Sequence, residues 1–154
     1  MQIGIIFYSF SGHTLSVIKK IKEKLTTSGH EVIIEQLETA APLKLTTQTV
    51  ALKSIPNVES YDALVIASPV HGGRISSPVA SFLEKAPSLQ GKKIVCLATH
   101  FLPYGWGGKQ MIQLMEEVCK AKGAQIIGVG NVPRLSLMQD KYIDAVAKHL
   151  SKLI

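Results

Sequence analysis

QIGIIFY (Gln2 to Tyr8) runs straight into SFSGHT (Ser9 to Thr14), and these two segments decide the fold. A short run of β-branched and aromatic residues that stops at a Ser/Gly cluster reads as a buried strand ending in a loop. From His13 the period changes. Leu15, Ile18, Ile21 and Leu25 recur at spacings of three and four, and Gly29 stands where a left-handed residue closes a helix. The strand is therefore followed by a helix that returns antiparallel to it.

The alternation continues down the chain. Glu31 to Leu37, Ala63 to Ser68, Lys93 to Thr99 and Gln125 to Val132 read as strands. A helix begins near Ser77 and Pro78, a cap and first-turn pair, and continues through Val79, Phe82 and Leu83. Another is predicted over about Gly108 to Lys122, with Met111, Ile112, Met115, Val118 and Cys119 inward and Gly123 as its stop. The last covers about Gln139 to Lys152, with Ile143, Val146 and Leu150 inward. Strands alternating with helices require parallel pairing through right-handed crossovers, with helices on both faces. The prediction is an α/β three-layer sandwich around a five-stranded parallel sheet. Between Glu38 and Tyr61, Pro42, Thr46, Thr47, Thr49 and Pro56 spoil any helical pattern, so an irregular or extended connection is expected.

A chain of 154 residues fits one domain, taken here as 1–154. With 46% hydrophobic and 18% charged residues, disorder is a poor explanation of the composition. The apolar start has no basic segment before it and is too short to span a bilayer, which gives the expectation of a cytoplasmic protein without a membrane span. The net charge of +6 raises the question of nucleic acid. Lys19, Lys20, Lys22 and Lys24 instead gather mainly on the polar side of one helix, as Lys148 and Lys152 do on another, and no aromatic-studded basic stripe accompanies them. Solvated helix faces are expected, and no nucleic-acid partner. Cys96 and Cys119 have neither CxxC spacing nor a nearby His or carboxylate cluster, so buried free thiols are expected rather than a redox pair or metal site.

In such a sheet, ligands bind beyond the carboxyl ends of the strands, where the connection direction reverses. Three loops lie there. The first, Ser9-Phe10-Ser11-Gly12-His13-Thr14, offers three hydroxyls and a glycine at a helix start. Backbone N–H groups and the positive end of the helix make such a turn a phosphate site, although simple N-capping also uses Ser and Thr. It is neither Walker A nor GxGxxG, which disfavours ATP and NAD at this loop. The second, Ser68-Pro69-Val70-His71-Gly72-Gly73-Arg74, has a glycine pair that lets a flat ligand approach the main chain. The third, Thr99 to Gly108, holds His100, Phe101, Tyr104 and the only tryptophan, Trp106, with Gly105 and Gly107. An aromatic ring system suits it, and a self-packed surface loop is the other reading.

Taken together, SFSGHT and YDALVIASPVHGG (Tyr61 to Gly73) resemble the phosphate loop and the Tyr-Asp-apolar strand with its Ser/Thr-Pro loop in the flavodoxin-like FMN-binding family, short-chain branch. The resemblance covers essentially the whole chain. It implies a strand order of 2-1-3-4-5, FMN as cofactor, and its phosphate held by Ser9, Phe10, Ser11, Gly12, His13 and Thr14. It also implies that Ser68, Pro69, Val70, His71, Gly72 and Gly73 flank the ring, with Thr99, His100, Phe101, Trp106 and Gly107 on another side. The chain departs from acidic carrier flavodoxins in being basic, and Ser9 to Thr14, Ser68 to Arg74 and Thr99 to Lys109 contain no Asp or Glu. Negative charge on a reduced flavin would go unopposed there, so a moderate potential is expected.

The resemblance leaves the function classes open. One is an electron carrier acting with a redox partner protein; another is an NAD(P)H- or quinone-dependent FMN oxidoreductase with small-molecule donor and acceptor. A third is a binding module that lost its cofactor. His71 and His100 are the proton-donor candidates in the loops, or else hydrogen-bonded wall residues.

Overall fold

A computed structural model describes residues 2–10, 12–41, 50–71, 73–100, 108–133 and 139–151. Among the described residues, five parallel strands form the sheet: β1 (Gln2–Phe7), β2 (Glu31–Gln36), β3 (Ala63–His71), β5 (Lys93–His100) and β6 (Gln125–Pro133). Their spatial order is β2-β1-β3-β5-β6, which is the expected 2-1-3-4-5 once the short β4 (Arg74–Ile75) is set aside. The sequence prediction lacked β4. It pairs antiparallel with β3, so the segment expected to be a loop after Ser68 is a hairpin with His71 opposite Arg74.

Among the described residues, four helices cover the sheet: α1 (His13–Thr27), α2 (Ser77–Lys85), α3 (Gly108–Ala121) and α4 (Gln139–Ser151). Side chains alternate along each strand, and a sheet buried on both faces turns that alternation into two cores. Ile3, Ile5, Phe7, Val65, Leu97 and Val132 pack with Val17, Ile18 and Ile21 of α1 and Ile143, Val146 and Leu150 of α4. Ile6, Leu64, Ile66, Ile94, Cys96 and Ala98 pack on the other side with Val79 and Phe82 of α2 and Met111, Met115 and Cys119 of α3. The α1 lysines are less free than expected. Lys20 lies 4.0 Å from Asp140, and Lys24 pairs with Asp144, so two of them tie α1 to α4.

The connection from Glu38 to Tyr61 is irregular where it is described. Thr39 and Leu52 form an isolated antiparallel bridge, and Lys53 N–H donates to Glu38 O at 2.9 Å. At the amino ends of the strands the Tyr-Asp pair has a structural role. Tyr61 lies over Gly4, where an added Cβ would come 2.6 Å from Tyr61 Cδ2, and its hydroxyl donates to Glu35 Oε2 at 2.9 Å. Burial, with the Glu35 hydrogen bond, pushes the Tyr61 phenol up to about 12. Asp62 Oδ2 accepts from Gln2 N–H at 2.8 Å, and Asp62 N–H donates to Gln2 O at 2.8 Å. Lys92 Nζ donates to Glu59 O at 2.9 Å and to Tyr61 O at 2.6 Å. Among the described residues no helix is long and apolar enough to cross a membrane, and no group of His, Cys, Asp or Glu could hold a metal ion.

Candidate functional site

The carboxyl ends of β1, β3 and β5 lie side by side, which brings the starts of the three loops found in the sequence to one edge. The first of them is built around the start of α1. Gly12 is the N-cap, with φ +84° and ψ −5°, and the position where a side chain would stand is open space. The left-handed region costs most residues about 1–2 kcal/mol, which accounts for glycine here. The first turn of α1 carries no acidic residue. Ser9 reaches back so that its Oγ accepts from Leu15 N–H at 3.2 Å. Part of the capping reading is therefore correct, but that hydroxyl keeps its own proton for a ligand.

Thr14 is buried, and its Oγ1 lies 2.8 Å from Thr99 Oγ1. One of these hydroxyls must donate to the other, which leaves a single O–H to donate elsewhere. The contact joins the first turn of α1 to the end of β5 across β3. Thr14 thereby ties the turn to β5. His13 is half-buried at the same turn, and Phe10 is 58% exposed at its rim.

The second loop divides into support and surface. Ser68 is fully buried; its Oγ accepts from Ser76 N–H at 2.9 Å and lies 2.8 Å from Ser76 Oγ. It fastens the foot of the hairpin to the start of α2. Pro69, Val70 and His71 are half-buried, and Gly73, at φ 77°, is exposed at the hairpin turn. The His71 ring meets Phe10 edge-on, with centroids 5.9 Å apart, and Tyr8 edge-on at 6.3 Å. Such arrangements suit the charge distribution of aromatic rings. Tyr8 and Phe10 thereby hold the hairpin against the first loop, a contact that no local sequence pattern displays. Burial holds the His71 imidazole below its ordinary range, which favours its neutral form.

The third loop begins at Thr99 and His100, both buried at the end of β5. Ser11, Gly72, Phe101, Trp106 and Gly107 lie outside the described residues. Sequence reading missed Asn131 on β6. Its side chain stands against Gly108, where an added Cβ would come 2.8 Å from Asn131 Nδ2, and its Oδ1 is buried without a hydrogen-bond partner. A lone Asn late in a strand gives no sequence signal for this.

The turn fits a phosphate: an open left-handed glycine, nearby hydroxyl donors and a helix mouth free of carboxylates. Comparison with known proteins points the same way. The family described as NADPH-dependent FMN reductase matches residues 1–140. The NAD(P)H dehydrogenase (quinone) of Methylocella silvestris is 28% identical over 95 residues, which is 57% of this chain and 48% of that one. The chain thus spans about half the length of the curated relatives it matches. Among solved structures, oxidised flavodoxin 2 from Bacillus cereus superposes with a TM-score of 0.76 at 18% identity, covering 100% of both chains. A flavoprotein in complex with FMN from Lactobacillus acidophilus gives 0.67 at 18% identity, covering 92% of this chain and 97% of that one.

Proposed function

We propose that this chain, which belongs to the NADPH-dependent FMN reductase family and has FMN as its cofactor, works as an oxidoreductase with a reduced pyridine nucleotide as donor and a quinone-like molecule as acceptor. The sequence left a carrier and an enzyme both open, and the names of the curated relatives favour the enzyme. FMN supplies the redox centre when bound; the protein binds, orients and tunes it.

The observation that carries the reading is the mouth of α1, with Gly12 left-handed and no acidic residue in the first turn. Backbone N–H groups around Gly12 and His13, with the hydroxyls of Ser9, Ser11 and the Thr14/Thr99 pair, would hold the phosphate. Pro69, Val70 and His71, pressed against Phe10, would form one wall of the ring slot, with Gly72 and Gly73 at its lip. His100, Phe101, Trp106 and Gly107 would form the other. A neutral His71 can hydrogen-bond a ring atom or substrate carbonyl without bringing a fixed charge. The cations of the surrounding segments, Arg74 and Lys109, are exposed and oppose no negative charge that develops inside.

Rapid mixing of holoprotein with NADPH under anaerobic conditions tests the assignment. The visible flavin absorbance should bleach within the mixing experiment and return when a soluble quinone is added. A flavin that stays oxidised with NADPH but reduces on adding a reduced electron-carrier protein would overturn the enzyme in favour of the carrier. Protein that fails to quench FMN fluorescence would overturn the phosphate turn itself.

A further inference from the structure

The hairpin that follows β3 sets a cation beside an exposed ring. Arg74 of β4 stands directly opposite His71 of β3. Opposed residues of an antiparallel pair present their side chains on one face, with Cβ atoms about 5 Å apart. The guanidinium therefore starts from the face that bears the His71 ring. That ring meets Phe10 edge-on at 5.9 Å, and Phe10 is 58% exposed. An exposed aromatic surface and an exposed guanidinium thus flank one half-buried imidazole.

The surrounding charges leave Arg74 uncompensated. Among the described residues it has no ion pair. Ser9 to Thr14, Ser68 to Arg74 and Thr99 to Lys109 contain no Asp or Glu, and the first turn of α2, which follows the hairpin, contains none either. Glu38, just after β2, and Asp140, in the first turn of α4, are the acids nearest this end of the sheet along the chain. They already lie 3.4 Å from Lys53 and 4.0 Å from Lys20. β4 packs against α3, whose second residue, Lys109, adds another exposed cation. A surface arginine alone is ordinary, and a small hydrated anion would satisfy it. The Phe10 ring narrows the ligand, because an apolar surface rewards only a partner with an apolar part to cover it.

We propose that Phe10 and Arg74 select the acceptor: an aromatic ring bearing a carboxylate or sulfonate, with the ring against Phe10 and the anion paired with Arg74. A guanidinium matches such oxyanions with two parallel N–H donors. The inference rests on the reading of this edge as a quinone-reducing site. In that reaction the acceptor takes two electrons and one proton from the reduced cofactor as hydride, takes a second proton from solvent, and leaves as the hydroquinone. Arg74 acts on binding and specificity only.

Calorimetric titration of the FMN-loaded, oxidised protein with three probes that carry no reducible group tests it: naphthalenesulfonate, neutral naphthalenemethanol and methanesulfonate. Naphthalenesulfonate should bind more tightly than the neutral ring or the ringless anion. Arg74→Gln should weaken naphthalenesulfonate by about fivefold, the scale of an exposed ion pair, and leave naphthalenemethanol unchanged. Lys85→Gln, which removes the same charge at the far end of α2, should leave all three unchanged. Equal binding of naphthalenesulfonate and either control probe, an equal loss in both variants, or no binding would overturn the proposal. A second measurement separates this result from the function on which it rests. With chemically reduced holoprotein, the rate advantage of a sulfonated naphthoquinone over the plain one should shrink in Arg74→Gln, and an advantage equal in both proteins overturns acceptor selection. If neither quinone reoxidises the protein, the oxidoreductase assignment fails, while the calorimetry still decides whether Phe10 and Arg74 hold an aromatic anion.

Discussion

The two ends of the sheet are built on opposite plans. At the amino ends of the strands, polar groups find partners inside the chain. Asp62 and Gln2 exchange backbone and side-chain bonds, Lys92 caps two carbonyls, and the Tyr61 ring fills the space above Gly4. At the carboxyl ends, Gly12 leaves open space, Ser9 keeps a spare O–H, and Phe10 stands exposed. A parallel sheet gathers the helix N-termini at one end only, so donors that need an anion collect there, while the other end can be closed for stability. The resemblance motif straddles both plans: Tyr61 and Asp62 belong to the closed end, and Pro69, Val70 and His71 to the open one.

This division can be broken by single substitutions. The largest effect is expected at the closed end. Gly4→Val forces a branched side chain into the Tyr61 ring and should destabilise the protein by about 3 kcal/mol, read from the urea midpoint. FMN affinity per folded molecule should be unchanged, and a loss of affinity would show that the two ends are not independent. Gly12→Val at the open end should reverse the pattern. Forcing a β-branched residue to positive φ costs stability by about 1–2 kcal/mol. Disturbing a hydrogen bond to a charged phosphate should weaken FMN binding by about tenfold or more, measured by fluorescence quenching.

The smallest effect concerns an exception at the closed end. His30, between α1 and β2, is 4% exposed, and neither ring nitrogen has a hydrogen-bond partner. Burial holds its imidazole below the ordinary range. The unfolded chain takes up this proton as the pH falls through about 6.5, whereas the folded chain does not. Stability should therefore decline from about pH 6.5 downward until the depressed folded pKa is reached. His30→Phe should make that acid-side decline shallower in urea titrations at stepped pH, while His71, depressed by burial in the same direction, remains in both proteins. An unchanged slope would mean that His30 is not the group responsible.

Periodicity made most of the fold legible. Leu15, Ile18, Ile21 and Leu25 mark α1, and Ile143, Val146 and Leu150 mark α4, because a buried helix face must repeat along the chain. The β3–β4 hairpin was missed although Gly72-Gly73 between His71 and Arg74 is a hairpin signal. A strand of two residues carries no alternation to confirm it, and the loop reading absorbed the glycines. At the site, the residue types of the α1 turn were visible from local sequence alone. The division of labour among them was not. Ser68 turned inward to Ser76 and Thr14 joined Thr99, both through contacts between segments that only the folded topology brings together.

The Thr14–Thr99 bridge has a further consequence for ligand binding. The first turn of α1 is anchored to a central strand by a buried hydroxyl pair, so its ordering entropy is spent during folding and not on ligand arrival. Affinity for a dianion at this turn should then rest on enthalpy and charge with little conformational penalty. The backbone of this turn should coincide in ligand-free and loaded crystals, even where the neighbouring loops rearrange.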